Sequence, residues 1–126
     1  MPTTIIATPL RDPAFQRRVA KQLTFWWRRH GVTPAHVVTR FADESGDQVF
    51  IGPYPLTARD ERPFAFAQCV LAQDRDQDFR AACAAEIRRV LGPEIPPDRV
   101  FVAIHPTDPA DHFTPDHLDS KENTTV

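Results

Sequence analysis

The sequence predicts a single α/β (α+β) domain built from two β-α-β units: a four-stranded mixed sheet with two helices on one face, plus a short hairpin strand. Three observations carry this. Two segments of helical periodicity, each opened by an acidic cap and closed by a glycine, alternate with β-branched or apolar runs. The order strand, polar link, helix, Gly, Pro-containing link, strand occurs twice. Within that repeat, Val32-Thr33-Pro34-Ala35-His36-Val37 matches Ile95-Pro96-Pro97-Asp98-Arg99-Val100 at an offset of 63 residues.

Thr3 to Thr8 is the first strand, short and β-branched. Asp12-Pro13 then opens a helix, with Asp capping free amides and Pro at the first helical position. Phe15, Val19, Leu23 and Trp26/Trp27 recur at helical spacing, while Arg17, Arg18, Lys21, Arg28 and Arg29 fall mostly on other faces. Gly31 follows a basic last turn and suits the left-handed cap. His36 to Phe41 is the second strand. The polar turn Asp43-Glu44-Ser45-Gly46 leads to Gln48–Ile51, which reads as a hairpin return. Beyond the break Gly52-Pro53-Tyr54-Pro55, the third strand is Phe64 to Leu71. Asp74 or Asp76 caps a second helix carrying Phe79, Ala82, Cys83, Ile87, Val90 and Leu91, stopped by Gly92. Arg99 to Ile104 is the last strand. The domain is 2–106, with pseudo-repeats 2–52 and 63–106, and the polar tail 107–126 is expected to be partly disordered.

Crossovers of one hand put both helices on the same sheet face, leaving the other uncovered. Phe64-Ala65-Phe66-Ala67-Gln68-Cys69-Val70-Leu71 is apolar on both alternations, as a strand buried on both sides is. A second subunit is therefore expected as cover.

Composition narrows the function classes. A net charge of −2 gives no support to nucleic-acid binding. No apolar run approaches the roughly 18 residues of a membrane helix, and no signal peptide is visible. Two cysteines, Cys69 and Cys83, make neither a disulfide framework nor a four-ligand zinc site, and both suit packing positions. His105, His112 and His117, interspersed with Asp108, Asp111 and Asp116, lack metal-ligand spacing. A cytoplasmic protein without metal or cofactor is expected.

Pro2 directly after Met1, the doubled β-α-β layout and Pro97-Asp98-Arg99-Val100-Phe101-Val102 together resemble the tautomerase superfamily, the last of these its macrophage migration inhibitory factor group. Val19-Ala20-Lys21, Phe41 with Glu44, Val49-Phe50-Ile51-Gly52 and Arg75 are similar in order to the cis-3-chloroacrylic acid dehalogenase group. The resemblance covers about residues 2–105 and implies a homotrimer with a catalytic N-terminal proline, freed by removal of Met1, acting on a small anionic keto or enol compound. The chemistry has an independent rationale. A secondary amine whose basicity falls in a desolvated pocket can shuttle a proton near neutral pH.

Pro2 is thus the catalytic candidate, and Arg75, Arg11, Phe101 and Trp27 are the substrate-binding candidates. Arg75 stands between the third strand and the second helix, where a guanidinium and helix-terminal amides can meet an anion. Arg11 occupies the equivalent link of the first half and resembles the substrate-binding arginine of small 4-oxalocrotonate tautomerases. Of the adjacent pair Trp26-Trp27, one is expected in the core and the other as subunit contact or pocket wall. The sequence also departs from those groups. Ala72 stands where a second arginine is found, Trp27 at a helix histidine, Ala103 and Phe101 at strand tyrosines, and Thr114 near a late glutamate, with Asp111 the nearest carboxylate. Alternatives are a proline-dependent decarboxylase, a dehalogenase or hydratase, a natural-product cyclisation enzyme, a non-catalytic tautomerase-like protein, or a ferredoxin-like ligand-binding module with the same strand order.

Overall fold

The computed structural model describes residues 1–58, 60–113 and 115. Strand β1 is Thr3–Thr8, and helix α1 runs Pro13–Arg29. Strand β2 is Val38–Asp43; β3 (Phe50–Ile51) and β4 (Tyr54–Pro55) form a small hairpin; β5 is Ala65–Ala72. Helix α2 is Gln77–Leu91 and β6 is Val100–Thr107. The main sheet has the order β2-β1-β5-β6, with β1 parallel to β2, β5 parallel to β6, and the central pair β1/β5 antiparallel. This is the fold class expected from the repeat.

Local chemistry sets the helix ends. The Asp12 carboxylate accepts the Ala14 amide at 3.0 Å. Of the two candidate caps on α2, Asp76 is the one used, accepting the Phe79 amide at 2.8 Å. Gly31 follows α1 at φ +88, a conformation that glycine adopts without the Cβ penalty. Gly92 follows α2 at φ −85, so no left-handed turn closes that helix.

Two strand expectations shift. His36 lies in a single 3-10 turn, Pro34–His36, and β2 starts two residues later. Proline at the head of that turn fixes φ, and the Val37 amide is used by the Pro34 carbonyl at 3.1 Å rather than by a ladder. The Pro97–Arg99 turn before β6 repeats the device. Gln48–Ile51 does not return onto β2. Gly46–Gln48 forms another 3-10 turn, and Phe50–Ile51 pairs with Tyr54–Pro55 through a two-residue turn with Gly52 at φ +60. What reads as a break in the sequence is the hairpin's own turn.

Both helices cover one face. Ile6, Ala65, Ala67, Cys69 and Leu71 point into it, against Phe15, Val19, Leu23 and Trp27 from α1 and Cys83, Ile87, Val90 and Leu91 from α2. Each fully buried aliphatic or aromatic side chain stabilises by about 1.5–3 kcal/mol. The second face is left open, as the doubly apolar third strand anticipated. Rows of side chains cross it in register: Val38, Thr3, Val70 and His105; Arg40, Ile5, Gln68 and Ala103; Ala42, Ala7, Phe66 and Phe101.

The two halves are related by an approximate two-fold through the β1/β5 pair. Ile5 lies opposite Gln68 and Ile6 opposite Ala67, so a shift of 62 residues exchanges one pair for the other. Equivalent positions of the two halves consequently lie at opposite ends of the sheet. Of the tail expected at 107–126, Pro109–Asp111 forms a 3-10 turn, and the expected disorder beyond falls mainly outside the described residues.

Candidate functional site

Pro2 enters the sheet at the end where β1 begins. It is buried, and its carbonyl accepts the Val38 amide at 3.0 Å. Thr3 faces Val70, so this is also the end where β5 runs out into the turn that precedes α2. Helix α1, running antiparallel to its strand, brings its C-terminal residues to the same end.

Arg75 stands in that turn, its amide donating to the Ala72 carbonyl at 3.2 Å. Its guanidinium carbon lies 4.5 Å from the Phe79 ring centroid and 5.9 Å from that of Trp27, and Nη2 donates to the His30 carbonyl at 3.3 Å. Asp74, Asp76 and Asp78 flank Arg75 in sequence, yet it pairs with none of them among the described residues. Beneath it is an aromatic cluster: Trp26 and Trp27 at 5.1 Å, Phe79 at 5.3 and 5.5 Å from those rings, and His30 at 4.2 Å from Trp26. The His30 Nδ1 is 2.8 Å from the Trp26 carbonyl. Both tryptophans are buried within the chain, with Trp27, at 2% exposure, beneath Arg75. Residues i and i+1 of α1 point about 100° apart. Both rings nevertheless lie against Phe79 of α2, at 5.3 and 5.5 Å between centroids.

Arg11 and Phe101 lie at the opposite end of the sheet. The Arg11 Nε is 3.2 Å from the Asp43 carboxylate, with both side chains largely exposed. Phe101 is on the open face, stacked on Phe66 with centroids 4.6 Å apart and planes 10° from parallel. The six residues of β1 separate the two ends by about 20 Å at 3.3 Å per residue. One chain therefore brings Pro2, Arg75 and Trp27 to one end, and Arg11 and Phe101 to the other. The internal two-fold explains the separation of the two arginines, since they occupy equivalent links of opposite halves.

The open face also carries a concavity of about 510 Å³, lined by Ile5, Ala7, Glu44, Gln48, Phe50, Phe66 and neighbours. Glu44 reads as a turn residue in sequence. Its place on this wall depends on the 3-10 turn that follows. Ala103 is on the same face, Asp111 is exposed beyond β6, and Thr114 lies outside the described residues. Among the described residues no cluster of three or more His, Cys, Asp or Glu is placed to hold a metal. Cys83 Sγ donates to Cys69 Sγ at 3.9 Å across the α2/β5 contact, and that bond together with burial pushes the Cys83 thiol up. His30 carries no signal in the sequence beyond its place before Gly31, and Phe79 reads there only as an apolar helix residue after the Asp76 cap.

No family profile matches the sequence, and no curated protein matches it. Solved structures do match in fold. Macrophage migration inhibitory factor from Toxoplasma gondii has a TM-score of 0.71 at 17% identity, over 90% of this chain and 96% of that one. A native fused 4-OT has a TM-score of 0.73 at 16% identity, over 90% and 92%. FG41 malonate semialdehyde decarboxylase inhibited by 3-bromopropiolate has a TM-score of 0.70 at 14% identity, over 95% and 96%. The fold is that of the tautomerase superfamily. No helix among the described residues is long and apolar enough to cross a membrane.

Proposed function

We propose that this chain, having the tautomerase fold, is a tautomerase-like enzyme that uses Pro2, freed by loss of Met1, for acid–base chemistry on a small anionic keto or enol compound. The observation that carries the reading is Arg75. It is a guanidinium with one side-chain hydrogen bond and no ion pair among the described residues, presented at the sheet end where Pro2 begins β1. An arginine that ignores three flanking aspartates keeps its fork available for a carboxylate.

The chemistry follows from the groups. A free α-amine has an ordinary pKa of about 7.7–8.0, and desolvation or a nearby guanidinium lowers it. As a neutral base, Pro2 would take the proton from the carbon beside the substrate's carbonyl and return one to oxygen, or run the reverse. Arg75 would hold the carboxylate in both states. The departures at Ala72, Trp27, Ala103 and Thr114 remove polar groups that a water-adding reaction would need, which favours proton transfer over hydration. Decarboxylation by the same amine is the second reading, prompted by the fold match to a malonate semialdehyde decarboxylase.

A homotrimer completes the proposal. Fused 4-OT relatives in fold are described as trimers, and here a sheet face carrying Val38, Ile5, Val70, Phe66 and Phe101 among polar residues lacks cover. In such an assembly Phe101 or Arg11 of one copy would approach the Pro2 end of another. The test joins intact mass with kinetics. Active protein should lack Met1, and Pro2→Ala, with a primary amine of different basicity, should lower kcat for ketonisation of phenylenolpyruvate by roughly 10²–10⁴-fold. A fully active preparation retaining Met1, or a Pro2→Ala variant at wild-type rate, overturns it.

A further inference from the structure

We infer that Phe79 is the positioning residue of the anion site: its ring, fixed by the Asp76 cap and the tryptophan pair, holds the Arg75 guanidinium in the orientation that receives a carboxylate. The inference rests on the proposed role of Arg75 and adds the residue that aims it.

Arginine has several rotatable bonds, and an exposed one samples many rotamers. Here the guanidinium carbon is 4.5 Å from the Phe79 centroid, closer than the 5.9 Å to Trp27, so Phe79 is the principal surface beneath it. Phe79 is itself held at both ends. Its amide donates to the Asp76 carboxylate at 2.8 Å, and its ring lies 5.3 Å from Trp26, 5.5 Å from Trp27 and 5.3 Å from His30. A single bond to the His30 carbonyl fixes one edge of the guanidinium. The ring beneath and the carbonyl beside it leave the remaining N–H groups as the face open to a ligand. The π-face attracts the cation without accepting a hydrogen bond, so stacking fixes direction while sparing donors. An acidic partner such as Asp74 or Asp78 would fix direction too, but would use the donors.

The ligand class follows from that geometry. A planar carboxylate can lie against the free edge of the fork, whereas a neutral ester of the same compound offers it only a single, weaker acceptor.

The test measures binding and turnover separately. Dissociation constants for 3-phenylpropionate and its methyl ester are read by calorimetry on wild type, Phe79→Leu, Phe79→Tyr, Arg75→Ala and the Phe79→Leu/Arg75→Ala pair. Leucine keeps the bulk and removes the π-face, so acid affinity should fall about tenfold, the size of a partly desolvated cation–π contact. Ester affinity should fall much less than acid affinity, and tyrosine should restore the acid. In the Arg75→Ala background, Phe79→Leu should add nothing, since the two act as one unit. With phenylenolpyruvate the same loss should enter KM and leave kcat unchanged. Equal loss for acid and ester, or an undiminished effect of Phe79→Leu without Arg75, overturns the inference and makes Phe79 a packing residue. Acid binding with no turnover defeats the enzymatic reading and leaves the anion site standing. Failure of wild type to bind the acid defeats both.

Discussion

Replacing Phe101 by glutamate addresses the uncovered sheet face directly. Phe101 retains 39% exposure in the single chain. An aromatic side chain buries about 150–250 Å² when fully covered, so about 60–100 Å² remains for a neighbouring copy to cover. At about 25 cal/mol per Å², that area is worth about 1.5–2.5 kcal/mol per subunit, and a threefold assembly loses it three times. The sum, about 4.5–7.5 kcal/mol, lowers the trimer's association constant by roughly 10³–10⁵, and the desolvated carboxylate adds to the loss. The chain itself should still fold, because the Phe66–Phe101 stack lies outside the helix-covered core. Light scattering over a dilution series should give three times 14.3 kDa for wild type and a shift to monomer for the variant, with unchanged far-ultraviolet dichroism. A wild type that is monomeric at tens of micromolar, or a variant as trimeric as wild type, refutes the reasoning.

Three further outcomes are expected. Gly46→Ala would drive a Cβ into Thr57 Cγ2 and within 3.3 Å of the Phe64 ring, an overpacking that should cost about 1–3 kcal/mol by denaturant titration. Asp60 is held down to about 2 by hydrogen bonds from Arg62, so its contribution is present above the ordinary carboxylate range and lost as pH falls through about 2. Asp60→Asn should therefore lower Tm near pH 5, and the gap to wild type should close on acidification toward about pH 2. Arg11→Ala should lower Tm by no more than about 4 °C, since its pair with Asp43 is exposed and worth about 0–1 kcal/mol.

The repeat, the strands and the caps were legible because they are written in local chemistry. Thr3–Thr8 has the expected bounds, Asp12 caps α1, and strand three is apolar on both alternations because one face meets helices and the other is uncovered. Sequence and structure part where proline has two uses. Pro34 heads a 3-10 turn rather than merely preceding a strand, and Pro53 sits in a hairpin turn rather than a linker. The candidate site was legible in residue type but not in arrangement. Pro2 and Arg75 stand out from the chain, and Phe79 is only four residues from Arg75, but the bond from Arg75 to the His30 carbonyl joins residues 45 apart in sequence. No spacing rule reports such a contact.

The internal two-fold makes the molecule a natural control for itself. Shifting Pro2 by 62 residues lands on Phe64, beside Pro63, whose nitrogen is bound into the chain and can never be an amine. At that end the structure holds a closed set of charges: Arg62 bridges Asp60 and Asp98, and the buried Arg99 donates to the carbonyls of Asp60 and Arg62. The duplicated scaffold thus has one end where Arg75 keeps free donors and another where Arg62 is held by two carboxylates and Arg99 by two backbone carbonyls. Symmetry of backbone has survived while symmetry of chemistry has lapsed, so ligand occupancy should stop at one per chain, half the number that the architecture would accommodate.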